Sequence, residues 1–140
     1  MTVSQKSVSL VIISGHEMRH QYLWWRMERI FEVRGIVIES KDKTMLQSDD
    51  CTPLMRQHFI EREEAEERFF GEECKYGDFQ QIDKLVLGMG SPNTTSVEKW
   101  IEEKKPQYLV LFGCSLIDEK LLKAYKGRVI NLHLGLSPYY

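Results

Sequence analysis

Cysteine is scarce here and badly placed for a framework. The chain has three, Cys51, Cys74 and Cys114; they are odd in number, far apart and never form a Cys-x-x-Cys pair. That argues against a disulfide scaffold or a zinc ribbon and for reduced thiols in the cytoplasm. His58 and Cys74 have no metal-ligand spacing, so no metal is expected. Neither sign of charge is in large excess: 19 basic against 21 acidic residues leave a net charge of −2, with no general attraction to nucleic acid or an anionic membrane. No apolar run approaches the length of a membrane span. The opening MTVSQKSVSLVIISG lacks the apolar length and cleavage site of a signal peptide. Low-complexity tracts are missing as well. What remains is an ordinary globular composition, 42% hydrophobic and 29% charged, over 140 residues. That is one domain, long enough to bury a core.

Residues 7–14, SVSLVIIS, form a near-continuous apolar run, the pattern of a central parallel strand covered on both faces. Gly15 ends it. From Glu17 to about Val33, apolar positions at Leu23, Met27, Ile30 and Phe31 fall on one helical face, broadened by Trp24 and Trp25 as packing residues. Gly35 reads as the stop of that helix, and GIVIE as a second strand. This strand-helix-strand opening predicts a right-handed crossover and a Rossmann-like, mostly parallel α/β sheet with helices on both faces. The turn GHEMRH sits where the first strand meets the first helix. Arg19 and His20 there are candidates to bind a phosphate or carboxylate of a substrate at the helix N-terminus; a solvated helix start explains them equally well. Residues 41–53 read as a loop, 58–70 as an exposed, charge-paired helix, and 71–81 as irregular. KLVLG at 84–88 is a short strand. Thr95 and Glu98 suggest a capping box for a helix to about Lys104, which Pro106 blocks. QYLVLF at 107–112 is another buried strand. Asp118 is an N-cap and Gly127 a stop for a last helix.

The closing stretch RVINLHLGLSPYY carries the chemistry. Val129, Ile130 and Leu132 mark a strand, and Asn131 and His133, two apart, share one of its faces while Leu132 points the other way, into packing. A carboxamide and an imidazole side by side at a strand end can hold an oxyanion and move a proton. Taken alone, such a pair also occurs as loop-capping groups.

GRVINLHLGLSPYY resembles the signature of the folate-dependent formyltransferase family, in which Asn-x-His precedes a Ser-Leu-Leu-Pro type loop. Asn131, His133, Leu136 and Pro138 match. Leu134 and Gly135 stand where the family has Pro-Ser, and Ser137 where it has Leu. Upstream, KPQYLVLFGCSLIDEKLLKAYKGRVINLH is similar to the family's Pro-Asp-Leu-Val-Val-x-x-Gly segment, with Gln107 in place of the Asp. The resemblance is specific over the last third of the chain and architectural before it, with 41–81 as a family-variable insertion. It implies a formyl donor, 10-formyltetrahydrofolate, and a small-molecule amine as acceptor. It places the donor's pteridine against the loop of Gly113, Cys114, Ser115, Leu116 and Ile117, and catalysis on Asn131 and His133. The family's downstream aspartate, which orients the His, has no counterpart here. The chain therefore reads as a formyltransferase-like domain truncated at its C-terminus, inactive or weak alone, with an unfinished sheet edge that invites a second copy.

Two other functions stay open at the level of sequence. One is a non-catalytic Rossmann-like module for ligand binding or assembly. The other is a nucleotide-dependent oxidoreductase, for which the only support is the imperfect Gly-x-Gly-x-x-Asn pattern at 88–93.

Overall fold

The computed structural model describes residues 6–40, 44–75, 79–88 and 92–134. Residues 89–91 of the glycine turn and 135–140 of the closing loop, including the matched Leu136 and Pro138, lie outside these. In chain order the elements are β1 (Ser9–Ser14), α1 (Met18–Ile30), β2 (Glu32–Glu39), α2 (Pro53–Lys75), β3 (Lys84–Leu87), α3 (Thr95–Lys104), β4 (Tyr108–Phe112), α4 (Glu119–Ala124) and β5 (Val129–Leu132). Short 3-10 turns at Thr44–Gln47 and Phe79–Gln81 flank α2.

All five strands run parallel in the order β3-β2-β1-β4-β5. This is the Rossmann order, so the expected α/β class is the observed one. β1 is buried along its whole length, because it is flanked by β2 and β4 and covered on both faces. Val11 and Ile13 meet Val97 and Ile101 of α3 and Leu121 of α4. Leu10 and Ile12 meet Trp24 of α1 and Phe79. Among the described helices, none is long and apolar enough to cross a membrane.

Gly35 does not stop a helix. α1 ends five residues earlier at Ile30, and β2 already begins at Glu32. Gly35 lies inside β2, where an ideal Cβ would come within 2.5 Å of the Trp100 ring on α3. The glycine lets helix and sheet approach closely. The register slips just there, Val33 facing Leu10 and Gly35 facing Val11, so Arg34 is an extra, bulged residue. Its guanidinium donates to the carbonyls of Lys104 and Lys105 at 3.2 and 2.7 Å, which satisfies the open end of α3. That helix is capped one residue earlier than its sequence suggests, by Thr94, whose hydroxyl accepts from the Val97 N–H. It ends on Lys105 in the left-handed conformation, φ 48°, just before Pro106.

α2 is the crossover between the parallel neighbours β2 and β3. It is longer than the charged stretch alone suggests, and it packs on α1 rather than standing free. Tyr22 lies 4.7 Å from Phe70, ring to ring, and the Cys74 thiol donates to the Met18 carbonyl at 3.7 Å. These contacts carry the helix through Gly71 to Lys75.

A methyl group at Gly35 has to displace Trp100 or the strand. Gly35→Ala is expected to lower stability by about 1–3 kcal/mol in urea denaturation. Combining it with Trp100→Leu should recover part of that loss. Full stability in the single variant would show that the close approach is not needed.

Candidate active site

In a doubly wound sheet the crevice opens where connections leave to opposite faces. Here that point lies between β1 and β4. From β1 the chain turns into α1 on one face, and from β4 it turns into α4 on the other. A cavity of about 400 Å³ occupies the carboxyl ends of these strands, lined by Arg19, His20, the 113–117 loop, Asn131 and His133. Residues expected from three separate stretches of sequence thus surround one cavity.

The β1 side is built from the start of α1. Ser14 is buried and satisfied, accepting from the Trp24 indole N–H at 2.9 Å and donating to the Gly15 carbonyl at 2.8 Å. Glu17 is the N-cap. Its backbone N–H lies 3.1 Å from His20 Nδ1, and its Oε2 lies 2.9 Å from the same atom. Nδ1 accepts from the Glu17 N–H, which closes one half of the capping box at the start of α1. His20 is fully buried, its ring edge-on to Phe112 at 4.8 Å. Its Nε2 has no hydrogen-bond partner among the described residues. Arg19 is held by Glu66 at 2.5 Å and by Glu17 at 3.2 Å.

The β4 side is a loop tied down at two points. Gly113 has φ +66°, and an ideal Cβ there would lie 2.5 Å from His20 Nε2; both the backbone and the space require glycine. Ser115 donates its backbone N–H to Glu39 Oε2 at 2.7 Å and its hydroxyl to Glu39 Oε1. Glu39 ends β2 and is 1% exposed. The Asn93 side chain holds the other end of the loop, donating to the Leu116 carbonyl at 2.7 Å and accepting from the Asp118 N–H at 2.8 Å. Between these anchors Leu116 stands 91% exposed at the cavity.

Asn131 lies on β5, a sheet edge, and His133 is one residue past its end. Asn131 pairs in register with Leu111, on the face of α3 and α4, and both Asn131 and His133 line the cavity. Both are exposed. Leu132 does take the opposite direction, but it is 39% exposed rather than packed. Neighbouring Ile130 is 51% exposed, because no described helix covers that face beyond β4.

Glu39 and Asn93 are the two site residues that sequence reading missed. An acid closing a buried strand is a visible signal. In a nucleotide site such an acid reads a ribose hydroxyl, whereas this one is occupied by Ser115. Asn93 belongs to the glycine pattern that suggested a dinucleotide, and its carboxamide is a loop clamp. Among the described residues no group of three or more His, Cys, Asp or Glu side chains is arranged to hold a metal. Burial, then the Glu73 and Glu67 carboxylates, push the Cys74 thiol up, away from nucleophilic reactivity. A larger groove of about 710 Å³ runs along α3 and α4; its Lys120 and Glu98 are paired and Arg128 lies over Tyr125.

Removing the Glu39 carboxylate strands the Ser115 donors. Glu39→Ala is expected to cost about 1–3 kcal/mol and to speed amide exchange across 113–117. Native protection of that loop in the variant would show that the tether does not hold it.

No protein-family model matches the chain, and no curated protein matches it. Solved structures do. A phosphoribosylglycinamide formyltransferase from Anaplasma phagocytophilum superposes with a TM-score of 0.58 at 11% identity, over 96% of this chain and 53% of that one. One from Coxiella burnetii, solved with CHES, gives 0.53 at 18%, over 95% and 54%. Glycinamide ribonucleotide transformylase 1 from Symbiobacterium toebii gives 0.55 at 12%, over 100% and 57%. Identities this low speak for the fold alone, and the chain spans about half the length of each of these structures. Over that span its five parallel strands and their helices have a formyltransferase-like fold.

Proposed function

We propose that the chain carries the donor site and the catalytic pair of a formyltransferase acting on a small-molecule amine, with 10-formyltetrahydrofolate as donor. The observation that supports this best is the convergence of Asn131 and His133 with the 113–117 loop around one cavity. The loop suits a flat heteroaromatic ring. Its backbone is pinned by Glu39 and Asn93, which leaves main-chain groups at fixed positions, and Leu116 and Ile117 supply apolar surface. The donor supplies a formyl carbon open to attack by an amine. Asn131 directs its amide N–H to the formyl oxygen, where negative charge develops. His133 takes the proton that the amine loses and returns one to the departing nitrogen. Arg19 and His20 bound the acceptor side. Cysteines outside any disulfide and a reduced folate both fit the cytoplasm.

A second reading follows from the edge strand. β5 has no strand beyond it among the described residues, and Ile130 and Leu132 are partly bare. A non-catalytic role in assembly would use that edge to pair with a second copy. Concentration-dependent association in sedimentation, abolished by Ile130→Lys, would support it.

Binding separates the first reading from a nucleotide site. Reduced folate should shift the amide signals of 113–117 saturably, and NADH should not. In a longer version of the chain, Asn131→Ala should lower formyl-transfer turnover about 10²–10³-fold while leaving folate affinity nearly unchanged. An unaltered turnover would remove Asn131 from the mechanism.

A further inference from the structure

The start of α1 faces the cavity, and a helix N-terminus attracts an anion. In this protein the anion is internal. Glu66 reaches across from α2: Oε2 accepts the Arg19 backbone N–H at 3.3 Å, and Oε1 pairs with Arg19 Nη1 at 2.5 Å. Glu17 Oε2 takes the other terminal nitrogen, Nη2, at 3.2 Å, and lies 2.9 Å from His20 Nδ1. Arg62 Nε approaches Glu66 Oε1 at 3.9 Å from one helical turn away. Both arms of the Arg19 fork therefore end on carboxylates. The tether is rigid, since α2 is also fixed to α1 by the Tyr22–Phe70 ring contact and the bond from Cys74 to Met18.

We infer that Glu66 and Glu17 set acceptor specificity by exclusion: the amine that enters this cleft carries no phosphate on the arm that reaches α1. The word acceptor rests on the formyl-transfer reading above; the exclusion of anions does not. Two carboxylates are balanced by Arg19 and Arg62, so an added dianion would leave the cluster with a net charge of about −2. To be bound there, a phosphate must displace Glu66. A carboxylate held on the same chain competes at an effective concentration in the millimolar range or above. The fold neighbours whose names specify phosphoribosylglycinamide thus set a contrast. The acceptor class assigned here is an amine whose α1-facing arm is neutral or cationic.

The test uses the isotope-labelled chain with inorganic phosphate and with ribose 5-phosphate, followed at the amides of Met18, Arg19 and His20. The wild type should show no saturable shift up to about 10 mM, above the millimolar affinity of a weak anion site. Glu66→Ala, which frees the Arg19 amide and guanidinium, should gain saturable phosphate binding at least tenfold tighter than wild type. Glu66→Gln keeps the shape and the α1–α2 packing and should gain a smaller part of it. Saturable binding to the wild type below about 1 mM would overturn the inference. So would two folded variants as indifferent to phosphate as the wild type. Failure of the formyl-transfer reading shows elsewhere, as absence of a folate response in 113–117, and leaves these outcomes readable.

Discussion

β1 can be central only because every residue from Ser9 to Ser14 is buried, and that burial determines where anything can bind. A strand paired on both edges and covered on both faces offers no surface except its end. The chain leaves that end onto the α1 face, while β4 beside it hands the chain to α4 on the other face. The crevice is the gap between two departures. Apolar burial of about 25 cal/mol per Å² holds the layers together, and the polar site collects where the layers part.

What holds the gap open in a defined shape is a set of acids at element ends. Glu39 closes β2 and takes both donors of Ser115. Glu17 caps α1, and Glu66 comes to the same helix start from α2. A buried carboxylate costs several kcal/mol in desolvation unless donors replace water. Each of these acids finds its donors in a loop or helix terminus, where backbone N–H groups would otherwise be left open. The arrangement satisfies both sides, and it fixes the 113–117 loop and the start of α1 relative to each other across the cavity.

Much of this was legible from local pattern. The run SLVIIS named a doubly covered strand, and Asp118 marked the start of α4, which ends at Ala124, three residues before the expected stop at Gly127. The exceptions have one cause: the deciding partner is distant in sequence. Gly35 looks like a helix stop until Trp100 is seen above it. Glu39 looks like a strand's last residue until Ser115, 76 positions on, donates to it. Arg19 reads equally as an anion receptor or a solvated helix start, because the pattern shows its charge but not Glu66, 47 positions away. Strand order is equally invisible to periodicity, since β1 and β4 become neighbours only through a crossover.

The exposure of Asn131 and His133 follows from the same topology. They sit on and just past the last described strand, so only one flank of their cleft is built of packed protein. A hydrogen bond to a developing charge is worth far more in a water-excluded site than in water. Exposed carboxamide and imidazole groups therefore reach full strength only once something covers them. The cavity is edged by Leu116 and Leu134, 91% and 81% exposed, which are poor residues to leave in water and good ones to place under a flat ring. A heteroaromatic donor lying on them would bury that apolar surface and expel water from beside Asn131 in one event. Under the proposed formyl-transfer reading, donor binding would then supply the low dielectric that Asn131 and His133 need, coupling affinity for the donor to the competence of the two groups.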